Sequence, residues 1–101
     1  MNARDFELGN GQVVHWDLDQ IDPDRPVRMQ LDQLKEDLAQ VRYGGVLLDV
    51  GWYPEFAANG SFTVTAVKNE DWEQPLFIRE CSDISALVIA VAEAARVARQ
   101  A

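Results

Sequence analysis

The sequence predicts an α+β domain. We expect a two-layer α/β sandwich in the order β-α-β-β-β-α, with a largely antiparallel four-stranded sheet and two helices on one face. Three observations lead there. Residues 44–81 hold three strand-like runs, 45–52, 61–67 and 75–80, separated by turn-rich segments. Apolar residues recur at three- and four-residue steps both before and after that stretch, which is the helical period. The chain has 101 residues, the size of one domain, so a single unit over 1–101 is expected.

Residues 1–11 carry no periodicity and end in the turn signal Gly9-Asn10-Gly11, so this segment is expected to be disordered or loosely packed. Residues 12–18 alternate, with Val14, Trp16 and Leu18 to one side and Val13, His15 and Asp17 to the other, as in a strand. Asp22-Pro23-Asp24-Arg25-Pro26 interrupts regular structure, because each proline removes a donor and restricts its predecessor. A helix is predicted from 27 or 29 to 42. Leu31, Leu34, Leu38 and Val41 share its stripe, and Tyr43-Gly44-Gly45 ends it.

In the second strand Val46, Leu48, Val50 and Trp52 share one face, and Leu47, Asp49, Gly51 and Tyr53 the other. Pro54 stops it, and Asn59-Gly60 suits positive backbone dihedrals before the third strand. Short connections favour antiparallel pairing of the last three strands. The inner face is then expected to carry Val14, Trp16, Val50, Phe62, Val64, Leu76 and Ile78. The open face would carry His15, Asp17, Asp49, Tyr53, Thr63, Thr65, Phe77 and Arg79, with Asp49 and Arg79 able to pair across it. The last helix is expected over 83–98, capped by Ser82, with Ile84, Leu87, Val88, Val91 and Ala95 as its buried stripe. Ala86, Ile89, Ala90 and Val97 widen that apolar surface. This fits either a helix packed between the sheet and the first helix or a homodimer surface.

Hydrophobic residues make up 48% and charged residues 26%, as in an ordinary globular protein rather than a disordered one. No apolar run is long enough to span a membrane, and the N-terminus lacks a signal peptide's apolar core, so a cytoplasmic protein is expected. The formal net charge of −8 repels nucleic acid and anionic lipid, and would attract a basic partner.

Chemistry is sparse. The one histidine, His15, precedes Asp17 by two residues, which on a strand puts both on one face. No G-x-S-x-G motif accompanies them. The lone cysteine, Cys81, excludes an intrachain disulfide and lies before a helix start, where a thiol pKa can fall. The carboxylates of 17–24 and 70–73 lack an EF-hand register, and neither a Walker A loop nor G-x-G-x-x-G occurs. No catalytic residue, cofactor or metal is therefore expected. A recognition surface remains. Tyr53, Phe56 and Trp72 lie in connections or at strand ends among Glu55, Glu70, Asp71 and Glu73, like interface anchors ringed by acids.

Three runs carry a resemblance: Asp49-Val50-Gly51-Trp52-Tyr53-Pro54-Glu55, Gly60-Ser61-Phe62-Thr63-Val64 and Asp71-Trp72-Glu73-Gln74-Pro75-Leu76. Together they resemble small bacterial immunity proteins of polymorphic toxin systems, including contact-dependent growth inhibition. The resemblance implies a cytoplasmic, non-enzymatic protein that binds one cognate toxin domain, often a basic nuclease, and blocks it by occlusion. It transfers no interface residues. Charge and loop position nominate Asp49, Tyr53, Glu55, Asp71, Trp72 and Glu73 for toxin binding. The rival readings are a small regulatory or scaffolding domain, homodimeric through its last helix, and an enzyme using His15, Asp17 and Asp49.

Overall fold

The computed structural model describes residues 1–101. It is α+β, with one antiparallel sheet and one C-terminal helix, but the sheet has five strands rather than four. The strands are β1 (Gln12–Trp16), β2 (Ala39–Tyr43), β3 (Val46–Tyr53), β4 (Ser61–Lys68) and β5 (Phe77–Cys81), followed by α1 (Ile84–Gln100). Spatial order follows chain order, a simple meander.

The predicted first helix does not form. Val27–Met29 and Leu31–Gln33 are single 3-10 turns, and Ala39–Tyr43 is a central strand paired with β1 and β3. The helical spacing of Leu34, Leu38 and Val41 is genuine, and all three are fully buried. Yet Ala39, Val41 and Tyr43 also alternate, and Gly44-Gly45 is a two-residue hairpin loop, with Tyr43 opposite Val46 and Gly44 at a φ of 60°. The hairpin with β3 satisfies one edge of β2 and the pairing with β1 the other, and together they prevail over a helical pattern in a short segment.

Helix α1 packs on β4, β5 and β3. Its cap is Asp83, not Ser82: the Asp83 carboxylate accepts from the Ala86 amide at 2.8 Å. Leu87, Val91 and the small residues Ala90, Ala94, Ala95 and Ala98 face the sheet. With no second helix above it, the opposite side, including Ile89, faces outward. The remaining inner face, over β1 and β2, is roofed by irregular chain. Phe6, Leu8, Leu18, Ile21, Val27 and Leu34 all join the main core. The N-terminal segment is thus anchored, not loosely packed: Phe6 meets Trp16 edge-on at 5.4 Å.

Two facing assignments change. A bulge between Val13 and His15 leaves Val14 53% exposed, while Trp16 tucks inward. In β5 the phase is opposite to that predicted. Phe77, Arg79 and Cys81 stand across from Ala66, Val64 and Phe62 on the helix side, which leaves Leu76 and Ile78 exposed. Arg79 fits at this edge because its guanidinium reaches Glu93 of α1 at 2.6 Å and stacks over Phe77. It therefore does not pair with Asp49.

Irregular chain needs side chains to satisfy its backbone. Gln30, buried, does this for the proline-rich loop: it accepts from the Asp22 amide at 2.7 Å and donates to the carbonyls of Asp22 and Arg25 at 2.9 and 3.3 Å. Arg28 donates to the carbonyls of Ala58 and Gly60 at 2.8 and 3.0 Å and lies over the Trp52 ring. Replacing Gln30 with alanine orphans these groups and should cost about 1–3 kcal/mol. Gln30→Glu, which keeps the acceptor but points a carboxylate at carbonyls, should cost at least as much. Urea denaturation of the two variants against the parent chain measures both.

Candidate functional site

The β3–β4 end of the sheet gathers the most chemistry. Residues 34–38 cross β3 there as a strap. The Trp52 amide donates to the Lys35 carbonyl at 2.8 Å, the Phe56 amide to that of Leu34 at 2.8 Å, and the Leu38 amide to that of Val50 at 3.0 Å. The crossing requires a glycine beneath it: a Cβ at Gly51 would lie 2.1 Å from the Glu36 carbonyl oxygen. At Gly60 the reason is again space, since a Cβ would lie 2.3 Å from the Trp52 indole nitrogen. The positive dihedral in this connection falls instead on Phe56, at a φ of 62°.

The strap brings carboxylates to one place from distant parts of the chain. Asp17 accepts from Lys35 at 2.6 Å, and His15 Nε2 lies 3.2 Å from the same Asp17 oxygen and 3.0 Å from the Asp37 carbonyl oxygen. Glu36 and Asp37 are exposed, and Glu55 accepts from the Glu36 amide at 3.3 Å. The Tyr53 hydroxyl donates to the Glu36 carbonyl at 3.3 Å. Tyr53 is 42% exposed and Phe56 49%. The result is two aromatic faces in a ring of acids.

Two groups register the negative field. Burial pushes the Tyr53 hydroxyl pKa up, and the charges of Asp49, Glu36 and Asp37 push it further. Burial likewise raises the Asp49 carboxyl; Asp37 adds to this, while the hydrogen bond from Gln40 at 2.9 Å and the charge of His15 oppose it. Asp17 goes the other way, held below the usual carboxylate range chiefly by its hydrogen bond from Lys35, whose own pKa rises in return.

The six nominated residues do not form one group. Tyr53 and Glu55 sit at this end. Asp49 lies midway along β3, only 9% exposed and covered by Gln40. Asp71, Trp72 and Glu73 occupy the β4–β5 connection, beside the β2–β3 hairpin, where the Asn69 amide donates to the Gly45 carbonyl. An eight-residue strand separates the two ends by roughly 25 Å. The strap residues Lys35, Glu36 and Asp37 escaped sequence reasoning because a helix was expected there. The sequence signal that could have found them was the hairpin loop Gly44-Gly45, which implies a strand before it.

As a catalytic group His15 is poorly placed. Its Nε2 is committed to Asp37 and Asp17, and no serine, threonine or cysteine side chain hydrogen-bonds to it. Cys81 is buried under the start of α1. Burial, reinforced by Asp83, pushes its thiol pKa up, against the expected fall. No group of three histidine, cysteine, aspartate or glutamate side chains converges on a metal-sized site. The arrangement is suited to binding: an acidic rim, two aromatic anchors and a rigid backbone.

Asp49 yields a pH prediction. Its folded pKa is raised, so the ionised form burdens the fold above that pKa, and the burden lifts as pH falls through it. Asp49→Asn keeps an oxygen for Gln40 and removes the charge, so at pH 7 it should raise Tm by about 2–5 °C. The gain should shrink as the pH is lowered through the raised pKa, and calorimetry across that range checks it. Comparison of the chain with protein-family models, with curated proteins and with solved structures finds no match.

Proposed function

We propose that this chain is an immunity-type protein that binds a cognate toxin domain and neutralises it by occluding its active or substrate-binding surface. The observation that carries the reading is the Tyr53–Phe56 turn. A bulky aromatic residue is held in the left-handed region, a conformation that costs about 1–3 kcal/mol, with half its side chain in solvent. Around it stand Glu36, Asp37 and Glu55, in a chain of net charge −8. A basic partner, such as a nuclease domain, is the complement to that surface, because opposite potentials speed encounter and fix register. No bond is made or broken; the interface would be of standard size, about 1,200–2,000 Å² in total. A footprint centred on Tyr53 and Phe56 leaves Asp71, Trp72 and Glu73 at its rim or outside it.

The test is binding to a toxin domain, which this reading expects to be encoded beside the chain, measured by calorimetry and by rescue of cells expressing that domain. Tyr53→Ala and Phe56→Ala should each weaken binding by about 2 kcal/mol, and Trp72→Ala should change it little. Phe56→Gly separates binding from folding, since glycine accepts a φ of 62° freely. That variant should fold at least as stably and bind as weakly as Phe56→Ala. Added salt should slow association. Wild-type affinity in the Tyr53 and Phe56 variants, or a dominant effect of Trp72, would move the interface elsewhere; a turnover reaction would remove the reading altogether.

A further inference from the structure

We propose that the open face of the sheet receives one arginine side chain of a protein partner, seated between Asp49 and the ring of Tyr53. The inference rests on the reading of the Tyr53 end as a protein-binding surface, and it names the group that this surface takes. The strand register fixes the face. His15 stands opposite Gln40, Gln40 opposite Asp49, Asp49 opposite Thr65, and Thr65 opposite Ile78, so these five form one row across all five strands. Leu48 and Val50, on either side of Asp49 in β3, are buried in the core beneath α1. Successive side chains of a strand point to opposite faces, so the Asp49 row lies on the face turned away from the only helix.

Within that row Asp49 breaks a rule. A carboxylate this buried is ordinarily paired with a cation. Asp49 is only 9% exposed, yet the chain's ion pairs join His15 to Asp17 and Asp37, Lys35 to Asp17, and Arg79 to Glu93, and none includes it. Gln40 donates to Asp49 Oδ2; no group of the chain donates to Oδ1, and that oxygen is not sealed from solvent. The next residue of β3 on this face is Gly51, about 7 Å along the strand. A Cβ at Gly51 would lie 2.8 Å from Cε2 of Tyr53, so the tyrosine ring leans back over the glycine toward Asp49. The Asp49 charge is felt at the Tyr53 hydroxyl. A half-exposed aromatic ring beside an uncompensated carboxylate is a seat for a cation. A guanidinium suits it better than an ammonium: its plane stacks on the ring while its edge donates, and it is the more weakly hydrated of the two. A second copy of this chain does not fit, because it would set Asp49 and the nearby Asp37 against their own likeness.

The experiment is an NMR titration of the intact chain, at low ionic strength, with glycyl-arginyl-glycine blocked at both ends. The same peptide with lysine, or with citrulline as the neutral isostere, replaces it in parallel runs. The arginine peptide should shift Gln40, Asp49, Tyr53 and Thr65, with a Kd on the order of 5 mM or tighter. Asp49→Asn should weaken binding about tenfold. That variant is expected to fold more stably than the parent, so its loss of binding is not a loss of fold. Tyr53→Leu should weaken binding about threefold, and Asp71→Asn, an exposed acid at the far end of the sheet, should leave it unchanged. Equal binding of the lysine or citrulline peptide, wild-type affinity in Asp49→Asn, or equal weakening by Asp71→Asn overturns the proposal. Failure of the toxin-binding reading looks different: no toxin domain binds, while the arginine peptide still does.

Discussion

One helix cannot roof five strands. The outer strand axes of such a sheet lie about 19 Å apart, whereas a helix with its side chains is about 10–12 Å across. Here α1 takes β3 to β5, and the apolar face of β1 and β2 falls to chain with no repeating structure. This division governs the molecule. Phe6, Leu8, Leu18, Ile21 and Val27 are spread through turns because each must drop a side chain into a core that no second helix covers. Irregular chain leaves amides and carbonyls without ladder partners, which is why Gln30 and Arg28 are spent on carbonyl oxygens.

The same division makes the acidic end. Chain that leaves the irregular roof must return to the sheet as β2, and it does so by the 34–38 strap over Gly51. Leu34 and Leu38 at the two ends of the strap drop into the core, while Glu36 and Asp37 between them stay exposed. Glu36 and Asp37 therefore join Glu55 and Tyr53 without competing for core positions. Because the strap's amide and carbonyl groups are tied to Val50, Trp52 and Phe56, the surface is set before any partner arrives, which lowers the ordering cost of association.

Four of the five strands, the C-terminal helix and the antiparallel order of the last three strands were legible in the sequence, because period-two alternation and turn residues agreed there. Residues 27–43 were not. Their apolar spacing satisfies a helix, while their hydrogen bonding is decided by strands on either side that no local window contains. The β5 phase was missed for a related reason. At an edge a long arginine can count as inward-facing, so polarity misreports direction. Of the site, Tyr53 and Glu55 were readable from composition around a turn. Glu36 and Asp37 became visible only when the strap placed them, and the separation of Asp71, Trp72 and Glu73 needed the register.

Two non-glycine residues with bulky or charged side chains sit in the left-handed region, Phe56 and Glu70, and they have different causes. Asn69 and Glu70 are the central pair of a turn in which the Asp71 amide donates to the Lys68 carbonyl, and both have positive φ. That turn type demands such angles of both positions, so Glu70 follows from geometry. Phe56 lies in a longer connection whose end carries Asn59 and Gly60, residues better suited to a positive φ. The strain falls on the aromatic residue instead, and the hydrogen bond from its amide to Leu34 holds it there. A local rule broken where compliant residues stand three and four positions away is the kind of inconsistency that stability alone does not explain. Its one visible product is an aromatic face turned toward solvent beside Tyr53, among carboxylates, and this is the ground on which we propose a binding surface at that end rather than at the loop that carries Trp72.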